Sequence, residues 1–175
     1  MSRVEEILRH LDAHGVAAAM IGGAALAVYG VARATLDVDL LAADAQVLDP
    51  AFWQGGTVAP PAEIRRGDDA DPLLGLVRWT AAEGPVDLVV GRGRFMASIV
   101  ARRVTLDAGG FRIPVVEAAD LILLKLAAGG PQDLLDVRLM LEGDPGTWRA
   151  TVAERVAEAP REVRESWERL SSERS

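Results

Sequence analysis

The sequence has 175 residues, half of them hydrophobic, and a formal net charge of −7 at pH 7. Length and hydrophobic content favour one folded domain with a real core, and they exclude disorder for the body of the chain. The acidic balance argues against broad nucleic-acid binding, and the lack of cysteine excludes disulfides and thiolate metal sites. No apolar run approaches the roughly 20 residues of a membrane span, and the charged N-terminus does not resemble a secretory leader. We therefore expect a cytoplasmic protein with no membrane partner.

The first predicted element is an amphipathic helix at residues 4–14, where apolar residues recur at three- and four-residue spacing. Ser2 is the expected N-cap and Gly15 the expected stop. His10 and His14 are one turn apart, a spacing that can hold zinc, but the pattern lacks a third ligand and the Glu of a zinc-protease motif. We interpret both histidines as solvated residues on the helix face.

A strand is predicted at residues 17–21, followed by Gly22-Gly23 and a helix that starts near Ala24. Glycine permits positive φ and close approach of another backbone or of a phosphate. The first N–H groups of the helix would point toward the turn and could bind an anion. The alternative is a tight turn that binds nothing. The turn is not a Walker-type loop, because it lacks the four-residue spacer and the Gly-Lys-Ser/Thr ending.

The next predicted strand carries Asp37 and Asp39 within an apolar run. Alternate residues of a strand point to the same face, so the two aspartates would lie about 7 Å apart at the backbone. Their carboxylates would repel each other unless a cation lay between them. Mg²⁺ is the natural cation, because it prefers oxygen ligands and keeps substrate phosphates in its shell. Asp69 and Asp71 have the same spacing in a polar, proline-flanked segment, and we interpret them as ordinary loop residues.

Arg33 and Thr35 lie between the predicted helix and the strand of the aspartates. Arg33 could contact a phosphate or pair with a carboxylate, and Thr35 could fix the loop. Structural roles explain both residues equally well. The segment 44–72 is then predicted to be mainly loop, with a short helix at 45–53.

Two strands at residues 73–80 and 86–91 are predicted to form an antiparallel hairpin. Asp87 lies among the apolar residues of the second strand. Because an unpaired buried carboxylate is costly, either a metal ion or an arginine is expected as its partner.

A short helix at 91–101 and a second hairpin, with strands at 102–106 and 111–116, complete the predicted sheet region. A strongly apolar helix follows at 117–128. It contains Lys125, which is the only lysine of the chain.

The next predicted helix runs over residues 133–141, where Asp133 and Asp136 are three apart and share a face. The tail from residue 147 onward has a sparse apolar stripe. We expect it to form one or two helices, broken near Pro160, that pack on the body of the protein or on a partner.

Two segments of the sequence resemble the hallmarks of a known superfamily, the DNA polymerase β-like nucleotidyltransferases. The first is a glycine pair followed, after a short helix, by Asp37-Val38-Asp39. The second, at residues 117–141, is an apolar helix with a lysine, a short turn and Asp-x-x-Asp. The fuller first string is similar to the small bacterial branch related to abortive-infection and type IV toxin nucleotidyltransferases, through Tyr29-Gly30, Arg33 and Thr35.

This resemblance implies an α/β (α+β) fold, with a mixed sheet flanked by helices and a helical C-terminal segment. Residues 1–143 would form the nucleotidyltransferase-like domain and residues 144–175 a helical extension of it. The implied reaction transfers a nucleoside monophosphate from a nucleoside triphosphate to an acceptor hydroxyl, with tRNA and protein among the acceptors. It also implies a role in a toxin–antitoxin pair, with a cognate antitoxin or toxin as partner.

The resemblance also implies roles for individual side chains. Two Mg²⁺ ions, or Mn²⁺, would be held by Asp37, Asp39 and Asp87. Catalysis would use these three aspartates together with Lys125. The residues implied in nucleotide binding are Gly22, Gly23, Arg33, Thr35, Lys125, Asp133 and Asp136. For Asp133 the alternative is a helix cap, because a carboxylate near a helix start satisfies free N–H groups.

The sequence departs from the family pattern at Gly130 and Gln132, where many relatives carry basic residues. This departure favours a second hypothesis, a catalytically inactive nucleotidyltransferase-like protein that binds or regulates a partner. A general phosphate-binding or structural domain is the third.

Overall fold

The structure, a computed structural model, describes residues 2–32, 37–56, 58–107 and 110–172. Arg33 and Thr35, predicted to bind the nucleotide, lie outside the described residues. The chain divides into two compact units: one contains the residues up to Ala25 and those from Ala34 to Val116, and the other contains Leu26–Arg33 and everything from Glu117 onward. The predicted boundary between residues 143 and 144 falls inside the second unit.

A seven-stranded sheet dominates the first unit, in the order β3-β4-β5-β2-β1-β7-β6. The β1–β7 and β2–β5 pairs are parallel and the other pairs are antiparallel. The sheet is therefore mixed, and the predicted α/β class is confirmed. The strands are β1 (Ala18–Ile21), β2 (Val38–Ala42), β3 (Glu63–Arg66), β4 (Leu73–Trp79), β5 (Val86–Gly91), β6 (Val104–Asp107) and β7 (Arg112–Val115).

Helices accompany the sheet from the start of the chain. The N-terminal helix is capped as predicted, because the Ser2 side chain accepts a hydrogen bond from the Glu5 N–H at 3.3 Å. One face of this helix buries Ile7, Leu8 and Leu11, which are the apolar positions of the predicted amphipathic pattern. The α-helices that begin in this unit are α1 (Arg3–Ala13), α2 (Gly22–Val28) and α3 (Gly93–Ala101).

Two predictions for this unit are wrong. β3 lies in a segment predicted to be loop: it is an edge strand, where charged side chains are common, and three of its four residues, Glu63, Arg65 and Arg66, are charged, so it shows no hydrophobic alternation. His10 is buried rather than solvated, with 7% of its surface exposed. Its Nε2 lies 2.9 Å from the Phe52 carbonyl oxygen, and its ring stacks on Trp53 at 5.2 Å. His14, in contrast, is exposed as predicted.

The second unit is helical, and its α4 packs against each of the later α-helices. A break near Pro160 is confirmed, since a short 3₁₀ turn separates the last two α-helices. The α-helices that follow the sheet are α4 (Ala118–Ala128), α5 (Pro131–Glu142), α6 (Trp148–Arg155) and α7 (Arg161–Ser172). None of the helices in the described ranges combines the length and the hydropathy of a membrane span.

Candidate active site

The predicted glycine turn lies directly against the second aspartate of the Asp-Val-Asp segment. β1 ends at Ile21, which is paired with Asp39 across the antiparallel β1–β2 ladder. The next residue, Gly22, has φ of +65°, in the left-handed region that favours glycine. A Cβ added to Gly22 would overlap Oδ2 of the Asp39 carboxylate. Position 22 therefore requires glycine both for its backbone conformation and for the close approach of Asp39.

Asp37 and Asp39 are placed differently relative to the sheet. The predicted strand begins at Val38, whose N–H donates to the Pro85 carbonyl oxygen at 3.1 Å. Asp37 therefore precedes the strand and is exposed, whereas Asp39 belongs to β2 and is half-buried. The two aspartates thus lie at one end of the interior strands β1 and β2, where β1 ends and β2 begins.

The third predicted carboxylate, Asp87, is a neighbour of Asp39 but is held by an arginine. Asp39 and Asp87 are register partners across the parallel β2–β5 pair, so their side chains leave the same face of the sheet. Arg78, the partner of Asp87 across β4–β5, donates from Nε to Oδ1 at 2.7 Å and from Nη2 to Oδ2 at 2.6 Å. Of the two partners expected for Asp87, the structure supplies the arginine.

The electrostatics of this pair make Arg78 a permanent cation. Its hydrogen bonds to Asp87, and then the charge of that carboxylate, raise the pKa of the guanidinium. The side chain of Asp87 is only 15% exposed, while that of Arg78 is 43% exposed.

The three predicted metal ligands differ in their surroundings. Asp37 and Asp39 provide the carboxylate oxygens that Mg²⁺ and Mn²⁺ prefer, and the Gly22 contact fixes the position of Asp39. Both oxygens of Asp87, however, accept hydrogen bonds from Arg78. Within the described ranges, no three acidic or histidine side chains gather closely enough to hold a metal ion. Binding of a metal ion by Asp37, Asp39 and Asp87 stays a prediction.

Lys125, Asp133 and Asp136 form a buried cluster in the second unit. The Lys125 Nζ lies 2.8 Å from Asp133 Oδ1 and 2.9 Å from Asp136 Oδ2. The side chain of Lys125 is 11% exposed and that of Asp136 is 1% exposed. Burial alone lowers the pKa of Lys125, but the hydrogen bonds to the two aspartates outweigh it, so the pKa is raised. The cluster links α4 to α5.

Asp133 also performs the capping role that was the alternative reading of this residue. Its Oδ2 accepts a hydrogen bond from the Gly130 N–H at 3.3 Å, at the start of α5. The Gln132 Nε2 donates a hydrogen bond to Asp136 Oδ1 at 3.1 Å, so a neutral amide contacts this carboxylate. Contact of these residues with a nucleotide stays a prediction.

A second buried cluster in this unit was missed in the sequence. Asp120, in the apolar helix α4, is fully buried, and Arg155 Nη1 of α6 donates to its Oδ2 at 2.8 Å. Arg155 also pairs with Glu117. The pKa of Tyr29 is raised to about 12, mainly by burial and further by the negative charges of Glu117 and Asp120. A lone aspartate in an apolar helix was the available signal, because its burial demands a cation.

Arg78 was also missed in the sequence. The observed register pairs Trp79 with Val86 and Arg78 with Asp87, and residues 80–85 connect the two strands. Opposite charges across a strand pair commonly stabilise each other. A connection of this length does not set the register, so the sequence could indicate an arginine partner for Asp87 but not which arginine.

Comparison with known proteins identifies the fold. No protein-family model matches the sequence, and no curated protein matches it. ANT(2'')-Ia in complex with adenylyl-2''-tobramycin aligns with a TM-score of 0.53 at 15% identity, over 90% of this chain and 97% of that chain. A protein from Thermotoga maritima described as a nucleotidyltransferase candidate aligns with a TM-score of 0.52 at 13% identity, over 79% and 92% of the two chains.

The lincosamide antibiotic adenylyltransferase LnuA, bound to lincomycin, aligns with a TM-score of 0.50 at 12% identity, over 81% of this chain and 96% of that chain. At these identities the similarity establishes the fold alone. The chain therefore has a nucleotidyltransferase-like fold, as the two sequence hallmarks predicted.

Proposed function

We propose that this chain is a nucleotidyltransferase, which moves a nucleoside monophosphate from a nucleoside triphosphate to an acceptor hydroxyl and releases pyrophosphate. The observation that carries the proposal is the contact of the Asp39 carboxylate with Gly22. This contact joins the two halves of the predicted signature, the glycine turn and the aspartate pair, at one end of the interior strands β1 and β2. The fold shared with the lincosamide antibiotic adenylyltransferase LnuA, and with ANT(2'')-Ia, which was solved with adenylyl-2''-tobramycin, supports the same reaction class.

The part played by the protein in this reaction is positional and electrostatic, as is general for phosphoryl transfer. Asp37 and Asp39 would hold a divalent cation, Mg²⁺ or Mn²⁺, which when bound neutralises charge on the phosphate oxygens. Gly22 and Gly23 let the triphosphate approach the backbone at the end of β1. The nucleotide-binding roles of Lys125, Asp133 and Asp136 stay predictions, and the structure shows the Lys125 ammonium paired with the two carboxylates.

The acceptor of the nucleotide is the next part of the proposal. ANT(2'')-Ia was solved with adenylyl-2''-tobramycin and LnuA with lincomycin, so each of those proteins handles an antibiotic. For this chain the net charge of −7 favours a small-molecule or protein acceptor over tRNA. Membership of a toxin–antitoxin pair in the cytoplasm remains a prediction, which an adjacent antitoxin-like reading frame would support.

A second candidate function is a binding or regulatory protein that keeps the fold without turnover. Two observations favour it: both oxygens of Asp87 are held by Arg78, and the ammonium of Lys125 is held by two aspartates. Asp87 and Lys125, both predicted to be catalytic, are thus paired within the protein.

Calorimetry and a transfer assay test the proposal together. Nucleoside triphosphate should bind in the presence of Mg²⁺ or Mn²⁺ and lose most of its affinity in EDTA. Asp39→Asn should lower the transfer of radiolabelled nucleotide by about 100-fold or more, because charge stabilisation at the transferring phosphate is lost. Its melting temperature should stay equal or rise slightly, since one of two neighbouring carboxylates becomes neutral.

Asp69→Asn is the matched control, because Asp69 belongs to the Asp-x-Asp pair in the exposed loop before β4. It should leave both binding and transfer unchanged. Equal affinity with and without EDTA would contradict the metal-dependent proposal. Metal-dependent binding without transfer to any acceptor would favour the regulatory alternative.

A further inference from the structure

We propose that a cavity between α1 and the β6–β7 hairpin binds a small amphipathic anion, in which an apolar body carries one carboxylate or phosphate group. The cavity has a volume of about 330 Å³, at the lower end of the range of small-molecule sites. All of its lining residues belong to the first unit. Ala18, at the start of β1, lines the cavity, whereas Gly22 follows the end of β1. The site is therefore separate from the candidate active site, and the inference does not depend on the proposed nucleotidyl transfer.

The floor of the cavity is apolar. Leu8 and Leu11 are three apart in α1 and share one helix face, and Val16 follows the helix. These three residues are at most 7% exposed, so close packing fixes the floor before a ligand arrives. Phe111 and Pro114, which are half-buried, add apolar surface from the hairpin side. This surface suits the hydrocarbon or aromatic part of a ligand, because covering it removes apolar area from water.

The hairpin brings two arginines to the cavity. Arg112 lies two residues before Pro114 on β7, so both side chains leave the same face of the sheet. Thr105 of β6 is paired with Pro114 and also lines the cavity, and Arg103 directly precedes β6. Strand pairing therefore places both guanidinium groups at the same cavity.

Arg9 joins the helix side of the cavity to the hairpin side. Its Nη2 lies 2.6 Å from Glu5 Oε1, and its guanidinium carbon lies 5.9 Å from the centre of the Phe111 ring. A cation at this distance is attracted by the face of an aromatic ring. The side chain of Arg9 is 61% exposed, so it borders the cavity where a ligand would enter from solvent.

The charges around the cavity favour a negative ligand, although the net charge of the chain is −7. The charged lining residues are three arginines and one aspartate, namely Arg9, Arg103, Arg112 and Asp12. Positive charge stays in excess even when Glu5, the partner of Arg9, is counted with them. Arg103 donates from Nη1 to the Val100 carbonyl oxygen at 3.0 Å, an uncharged acceptor that leaves the guanidinium charge in place.

The acid opposite Arg112 has a role in the hairpin turn. Asp107 is the register partner of Arg112, and its Oδ1 accepts a hydrogen bond from the Gly110 N–H at 2.9 Å. A guanidinium group binds a carboxylate or a phosphate through two parallel hydrogen bonds. Arginines above an apolar floor therefore fit an anion with an apolar body better than an inorganic anion or a neutral hydrocarbon.

Calorimetric titration of the 175-residue chain with sodium octanoate tests the inference. We expect one octanoate bound per chain. Octan-1-ol, which has the same hydrocarbon chain without the charge, should bind about 10-fold more weakly or worse. Acetate, which lacks the hydrocarbon chain, should give no detectable binding. Octyl phosphate is titrated in parallel, and the tighter of the two anions identifies the preferred head group.

Arg103→Gln and Arg112→Gln should each weaken octanoate binding by about 5-fold or more, because each removes a charged hydrogen-bond donor. Thr105→Trp, which fills the cavity from β6, should abolish binding. Arg65→Gln is the matched control, because Arg65 is an exposed strand arginine of β3, at the opposite edge of the same sheet. It should bind octanoate like the wild type.

Equal affinities for octanoate and octan-1-ol would overturn the inference, as would unchanged octanoate affinity in both arginine variants. Absence of octanoate binding by the wild type would overturn it as well. The comparison of ligands on the wild type stands even if a variant fails to fold. Asp39→Asn should bind octanoate normally, so failure of the proposed transfer reaction and failure of this site are distinguishable.

Discussion

Gly22 and Asp39 are separated by 16 residues in the sequence but are in close contact in the structure. Gly22 adopts a left-handed backbone conformation, and the Asp39 carboxylate occupies the space that a Cβ would need. The chain contains a natural comparison for this position. Gly15 also has a positive φ, of +71°, but a Cβ added there would meet no atom within 4 Å. A comparison of substitutions at Gly22 and Gly15 therefore distinguishes the effect of the backbone conformation from the effect of crowding against a side chain.

Gly22→Ala and Gly15→Ala should therefore differ in stability and in metal binding. Both variants should lose about 1–2 kcal/mol of unfolding free energy, because alanine is strained in the left-handed region. Gly22→Ala should lose about 1–3 kcal/mol more through overpacking against Asp39. Denaturant unfolding measures the first difference, and Mn²⁺ affinity should fall only in Gly22→Ala. Equal losses of stability in the two variants would show that the contact with Asp39 is not restrictive.

At the scale of elements, α4 and α5 are joined by an ion cluster across a tight turn. Gly129 ends α4 with φ of +67°, and α5 begins with Pro131. Lys125 reaches from α4 to two aspartates of α5. Asp136 is almost fully buried, and the Lys125 ammonium lies 2.9 Å from its Oδ2, so the lysine helps to compensate the buried charge. The cluster thus has a structural role that does not require a nucleotide.

Lys125→Met should lower the unfolding free energy by about 3–5 kcal/mol, because it leaves the Asp136 carboxylate buried without its cation. The double variant Lys125→Met/Asp136→Leu should recover much of this loss, since a hydrophobic pair can replace a buried ion pair. Denaturant unfolding of the three proteins measures both effects. A single variant as stable as the wild type would show that the cluster contributes little.

The same cluster predicts a loss of stability at alkaline pH. The pKa of Lys125 is raised in the folded protein, so the unfolded chain releases this proton first. The stabilisation is complete below the ordinary value of 10.5 and is lost as the pH rises from there through the higher folded value. Thermal melts on either side of this value should show a steeper decline for the wild type than for Lys125→Met. Parallel declines would contradict the raised pKa.

At the scale of the whole molecule, the chain divides by packing rather than by sequence order. The C-terminal helices belong to the same compact unit as α4 and α5. Three residues of the predicted apolar stripe, Val163, Trp167 and Leu170, are buried in α7. The Arg149 guanidinium lies 5.8 Å from the centre of the Trp167 ring. The C-terminal segment is therefore a packed part of the second unit.

Hydrogen exchange should show α7 to be protected. The amides of residues 163–170 should exchange slowly, because their opening exposes the buried face of the helix. The loop residues 68–71, which are mostly exposed, provide an internal reference that should exchange promptly. Prompt exchange throughout residues 150–170 would mean that the C-terminal helices do not pack as described.

The sequence by itself determined the elements whose residues follow a strong local pattern. The helix predicted at 4–14 is observed at Arg3–Ala13, and the hairpin at 73–80 and 86–91 is observed with its antiparallel pairing. The glycine turn before the aspartate segment was found in the same way. The period of the hydrophobic residues and the positions of the turn residues indicate local structure, because they depend on residues that are close together in the sequence. These features sufficed for the fold class and for the location of the candidate site.

Tertiary structure alone decided which charges meet and which residues are buried. The edge strand β3 lacks a clear period, and His10 is buried because the segment with Phe52 and Trp53 covers it. Lys125 was predicted at a phosphate, yet it is held by Asp133 and Asp136. Coulomb energy and desolvation depend on the distances between side chains and on their depth below the surface. A hydrophobic pattern contains neither quantity, so the ion pairs of this protein become visible only when its strands and helices have packed.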